Sequence, residues 1–176
     1  KDHDYAMYAC VSMSSAILVL GEGRAFLRHH LNAFGRCEAA MSQQSYKVKS
    51  AVLRGVEALP VEVEVLISSG IPSFSIVGMP DTAIQESRER VRAAIKSAGF
   101  HVPSDKIVVN LAPSSLRKTG SGFDLPIALA LLAATGQIPV AHLENALVVG
   151  ELSLEGRVRS TAGSSRISNA RANWAQ

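Results

Sequence analysis

Apolar and polar residues alternate from Tyr46 to Leu53 (Tyr-Lys-Val-Lys-Ser-Ala-Val-Leu), the pattern of a strand with one wet face. Val61, Val63 and Val65 alternate with Glu62 and Glu64, which predicts a second strand with valines inward and glutamates solvated. Gly55 and Pro60 fall in the link, so the two strands are expected to pair antiparallel. Ser69 to Pro72 reads as a further turn, and Ser73 to Val77 as a third strand. The period then lengthens. Ile84, Val91, Ile95 and Ala98 share one helical face, with Thr82 and Gln85 spaced as a capping box and Gly99 as the stop. Lys106 to Leu111 predicts a fourth strand and Ala146 to Gly150 a buried one. Glu151 to Val158 reads as a hairpin turning at Glu155-Gly156.

Between these elements lies Leu116 to Thr135, LRKTGSGFDLPIALALLAAT. A basic pair, Arg117-Lys118, enters a turn spaced by Gly120 and Gly122. Asp124 is placed to act as N-cap and Pro126 falls in the first turn, where a proline loses little. The residues from Ile127 to Ala134 are apolar on every side, so this second helix is expected to be buried and to end at Gln137 to Pro139.

The composition, 47% hydrophobic and 19% charged over 176 residues, suits one globular domain with an appendage. The formal net charge of +3 permits an anionic partner without requiring one. Cys10 and Cys37 are the two cysteines and the five histidines are scattered, so neither a disulfide framework nor a zinc site is indicated. Tyr5 to Leu20 is mostly apolar but shorter than the ~20 residues of a spanning helix, and no basic region precedes it. Residues 1–40 read as an extension of different character, with Met41 as a plausible start. After Glu155 no acidic residue remains, and 161–176 is expected to be a mobile tail.

Two features invite chemical readings. Arg88, Arg90 and Arg92 lie with Glu86, Glu89 and Lys96 opposite the apolar face of the first helix. They form either a solvated face with pairs such as Glu86–Arg90, or an electropositive ridge for phosphate or a partner subunit. The turn Gly120-Ser121-Gly122, with Lys118 and the following helix start, is a candidate anion site. It is not a Walker A loop, because Lys118-Thr119 precedes the glycines instead of following one. Ser121 lacks a GxSxG elbow.

Five ordered blocks carry a resemblance. They are Ser69 to Ala83 (SGIPSFSIVGMPDTA), Glu86 to Phe100 (ESRERVRAAIKSAGF), Val109 to Pro113 (VNLAP), Leu116 to Ala128 (LRKTGSGFDLPIA) and Gly150 to Gly156 (GELSLEG). With these, residues 46–158 resemble the amino-terminal domain of the ComM family, also called YifB or magnesium-chelatase-like AAA+ ATPases. The resemblance implies an α/β (α+β) fold, a Lon-protease-like sandwich akin to domain 2 of ribosomal protein S-five, with a mixed sheet and two main helices. Residues 41–160 would form that domain, and no AAA+ module follows within the sequence.

The same resemblance implies that Gly122 stands where Lon carries its catalytic serine and Ser165 where it carries its lysine. No peptidase activity is therefore expected, and Ser121 lies one position out. The implied role is that of a non-catalytic accessory domain of a cytoplasmic DNA-processing ATPase, linked to branch migration in natural transformation. It would support subunit assembly in a ring-forming homo-oligomer, or contact DNA through Arg88, Arg90, Arg92, Arg117 and Lys118. No cofactor is expected within the chain, ATP and Mg2+ belonging to the AAA+ module, and no membrane partner is expected. Rival readings are a divergent Lon-like serine peptidase using Ser121 or Ser165, and a metal-chelatase accessory domain.

Overall fold

The computed structural model describes residues 44–55, 57–161 and 167, together with the backbone of a two-residue strand, β1 (Ile17–Leu18). The expectations for the rest of residues 1–40 and for the tail beyond 161 concern residues outside that set, apart from Ile167, which is buried.

Strands β2 (Gln44–Arg54) and β3 (Glu57–Ser68) form the expected antiparallel hairpin, with Val48 opposite Val63 and Tyr46 opposite Val65. Gly55 turns it with a φ of 65°, a backbone state open to glycine at little cost. Pro60 lies within β3, not in the link, and faces Ala51. It is tolerated there because the pairing of β3 with its other neighbour, β5 (Lys106–Ala112), begins only at Glu62, so the proline deprives no second ladder of a donor. Strand β4 (Ser73–Val77) pairs parallel with β5 and forms one edge. Helix α1 (Thr82–Ser97) makes the crossover between them.

Helix α2 (Asp124–Ala134) follows β5, and the short strands β6 (Leu147–Val148), β7 (Glu151–Leu152) and β8 (Val158–Arg159) complete the chain. The mixed sheet has the order β1-β6-β2-β3-β5-β4, while β7 and β8 make the separate hairpin expected from Glu155-Gly156. Of Ala146 to Gly150, two residues enter the sheet. The class is the mixed α/β arrangement that the sequence implied.

The core is one layer deep. Val48, Val63, Val65, Ile107, Val109, Leu111, Phe74 and Ile76 point from the sheet toward Ile84, Val91 and Ile95 of α1 and nearly all of α2. Glu62 and Glu64 lie on the opposite sheet face, where Lys47 pairs with Glu62 at 2.8 Å. Both helices end in a Schellman motif: Phe100 N–H donates to Ile95 O after α1, and Gln137 N–H to Leu132 O after α2, each across a glycine at positive φ. Gly136 thus stops α2 before the expected Gln137 to Pro139. The α1 cap is Asp81 and not Thr82. Its Oδ1 accepts the Ile84 N–H at 2.9 Å, while Gln85 reaches Ile76 O.

Candidate functional site

Of the residues singled out for chemistry, Arg90, Lys118, Gly120 and Ser121 converge where the start of α1, the exit of β5, the glycine turn and β7 meet. Ser121 to Phe123 form a 3-10 turn that runs straight into α2, so Asp124 is already helical and its side chain caps nothing. This corrects the expected N-cap. The Asp124 carboxylate is turned inward and fully buried, where stronger partners await it. It accepts from Ser87 Oγ, from Arg90 Nε at 2.7 Å and Nη2 at 3.1 Å, and from the Leu152 N–H at 3.2 Å. A buried carboxylate is tolerated only when its lone pairs are so occupied. In return the carboxylate holds the Arg90 guanidinium above its ordinary pKa.

Arg90 is thereby removed from the proposed phosphate ridge. Its Nη2 also donates to Ala83 O, and Glu86 lies 3.9 Å away, the one predicted i,i+4 pair that forms an ion pair here. Arg88 is committed as well, donating to Gln85 O at 2.9 Å and to Phe74 O at 3.5 Å. With Gln85 on Ile76 O, it covers carbonyls of the edge strand β4, a position that otherwise invites pairing with another chain. Arg92 stacks on Phe74 at 5.3 Å. Arg117 alone of the candidate cations is exposed, and the three helix arginines, half-buried, alternate with exposed Glu86 and Glu89.

Lys118 departs furthest from expectation. It is wholly buried, and its Nζ donates to the backbone oxygens of Gly78, Leu111 and Pro113. Burial pushes its pKa below the ordinary ammonium value. As placed, it reaches no external phosphate.

The candidate anion site at Gly120, Ser121 and Gly122 is likewise occupied by the chain's own carboxylates. The Gly120 N–H donates to Asp81 Oδ2 at 3.0 Å and Ser121 Oγ donates to Glu151. Asp81 and Glu151 thus place negative charge on the turn where a phosphate would need donors. It does not fit a nucleotide phosphate. Among the described residues no group of three or more His, Cys, Asp or Glu could hold a metal ion.

Gly122, the Lon serine position, offers no hydroxyl. A Cβ there would lie 3.2 Å from Val149 Cγ1, a tight contact, and 3.5 Å from Thr161 Cγ2, an ordinary one, so a serine would press on Val149. Ser165 lies outside the described residues.

Residues 63–173 match the family described as subunit ChlI of Mg-chelatase, and the chain belongs to that family. Its relatives include YifB of Salmonella typhimurium and YifB of Escherichia coli, each 49% identical over 109 residues, 62% of this chain and 22% of the relative. Competence protein ComM of Haemophilus influenzae is 44% identical over 116 residues, 66% of this chain and 23% of the relative. The chain thus spans 22–23% of the length of these curated relatives. The resemblance to the YifB and ComM family holds. No helix of the described residues is long and apolar enough to cross a membrane.

Asp81, Ser87 and Lys118 are the residues whose roles differ from their sequence signals. Asp81 directly precedes the helix and could have been read as its cap. Ser87 sits three residues after Ile84 on the apolar face, a position where a polar residue needs a partner. Lys118 carries no sequence signal for burial.

Proposed function

We propose that this domain is a non-catalytic accessory module of a magnesium-chelatase-like AAA+ ATPase engaged in DNA processing, and that it acts by supporting subunit assembly. The observation that carries the reading is the internal use of the motif charges. Asp124 is saturated by Ser87, Arg90 and Leu152, and Lys118 by three carbonyls, so the residues that look chemical hold loops together. Crowding around Gly122 supports the absence of a Lon-type nucleophile. The name of the Haemophilus influenzae relative supports a link to competence, and the ATP and Mg2+ chemistry belongs to the AAA+ module.

A second reading, direct DNA contact, draws on the exposed Arg117. Fluorescence anisotropy with single- and double-stranded DNA separates the two. Contacts to phosphate weaken steeply as salt rises. Assembly support predicts no salt-sensitive binding by the 176-residue chain at low salt, together with loss of the oligomer when the domain is deleted from a full-length relative. Salt-sensitive binding abolished by Arg117→Ala overturns it in favour of DNA contact.

A further inference from the structure

Two stretches of backbone, the end of β5 with the Pro113 that follows it and the exit of its parallel partner β4 at Gly78, place three carbonyls at one point. Lys118 Nζ lies 2.9 Å from Gly78 O and 2.8 Å from Leu111 O, and donates also to Pro113 O. An ammonium has three N–H donors and no acceptor, so three carbonyls satisfy it completely. No carboxylate among the described residues forms an ion pair with it, and carbonyl dipoles alone face the charge.

The backbone is bent to make this match. Gly78 has a φ of 97° and Met79 a φ of 58°, the one positive value among the described residues other than glycine. A side chain at Gly78 is impossible without movement, because its Cβ would lie 2.2 Å from Leu111 O, itself one of the three acceptors. The glycine therefore lets two of the carbonyls stand side by side. Lys118 is also pinned through its main chain, its N–H donating to Met79 O at 3.3 Å and its carbonyl accepting from Asp81 N–H at 3.2 Å. A non-glycine residue held in the left-handed region persists only where its surroundings over-determine it.

We propose that Gly78, Leu111 and Pro113 form a binding site for a primary ammonium group, and that Lys118 is its tethered ligand. Emptied of the lysine side chain, the site takes a free primary alkylammonium. The three acceptors are uncharged carbonyls, without the carboxylates through which Ca2+ and Mg2+ are usually held. A quaternary ammonium has no N–H to give, and a planar guanidinium has five donors in a fork that three converging carbonyls do not match.

The test uses the 176-residue chain with Lys118→Ala, a change that removes the equivalent of propylammonium. Thermal unfolding is followed with increasing propylammonium chloride and, separately, tetramethylammonium chloride. The expected result is a saturable rise in the variant's Tm of about 4 °C or more with propylammonium only, and no such rise for the unsubstituted chain. Equal effects of the two salts, or no effect on a folded variant, overturn the proposal. Where Lys118→Ala does not fold, acetylation of the unsubstituted chain followed by mass spectrometry decides. Lys118 is expected to react at least about tenfold more slowly than the exposed Lys49 and Lys106, since labelling tracks the rare open state. Labelling at the same rate overturns the proposal.

Discussion

The β2–β3 hairpin and the junction around Lys118 are held by different physics. In the hairpin, Val48, Val61, Val63 and Val65 bury apolar surface at every second residue, while the charged pair Lys47–Glu62 lies outside in water. In the junction, the order is reversed: Asp124 and Lys118 are fully buried and Met79 is 55% exposed. Burying a valine is favourable in itself, whereas burying a charge is favourable only through the partners waiting for it. The hairpin should therefore degrade gradually when trimmed. The junction should fail sharply when one member is removed, because the remaining members stay buried without partners.

The largest expected effect tests that contrast directly. Asp124→Ala strands the Arg90 guanidinium, the Ser87 hydroxyl and the Leu152 N–H, and should cost about 3–5 kcal/mol in urea unfolding. A loss below about 1 kcal/mol would mean that water replaces the carboxylate and that the junction is not a closed joint. Gly78→Ala comes next. Its Cβ would meet Leu111 O at 2.2 Å and must adopt a positive φ as well, so a loss of about 3 kcal/mol is expected from chemical denaturation.

The same contrast explains what the sequence made legible. Alternation and 3.6-residue spacing report which side of an element is dry, so β2 to β5, α1 and the buried α2 could be read from residues such as Val61, Val63, Val65 and Ile84. A buried charge carries no period. Asp124 and Arg90 are 34 residues apart, and Lys118 and Gly78 40 apart. Both acquire partners only after the sheet has brought their loops together. Motif reading therefore offered Arg90 either as a partner of Glu86 or as an anion contact, and Lys118 and Gly120 as anion contacts, although each donates to acceptors within the chain. Asp124 was misplaced for a related reason. An acid before a helix usually caps it, but here Arg90 and Leu152 outcompete the helix N–H groups.

Val63→Ala provides the hairpin's side of the comparison. The residue is fully buried between β2 and β5, and removal of its two methyl groups should cost about 2 kcal/mol, read as a lower urea midpoint with unchanged slope. A cost exceeding that of Asp124→Ala would reverse the ranking and make apolar packing the tighter constraint.

The smallest change runs in the opposite direction. Met79 holds a φ of 58° with a side chain more than half in solvent, so the position uses its backbone and not its thioether. Its carbonyl accepts the Lys118 N–H, and the preceding carbonyl of Gly78 accepts the Lys118 ammonium. Met79→Gly relieves roughly 1 kcal/mol of left-handed strain and surrenders part of that gain to the greater freedom of glycine in the unfolded chain. A net stabilisation of about 0.5 kcal/mol is expected from paired denaturation curves, with Lys118 as protected from acetylation as before. A loss of stability instead would assign the Met79 side chain a packing role, and the strain at this residue would then serve the methionine as well as the lysine.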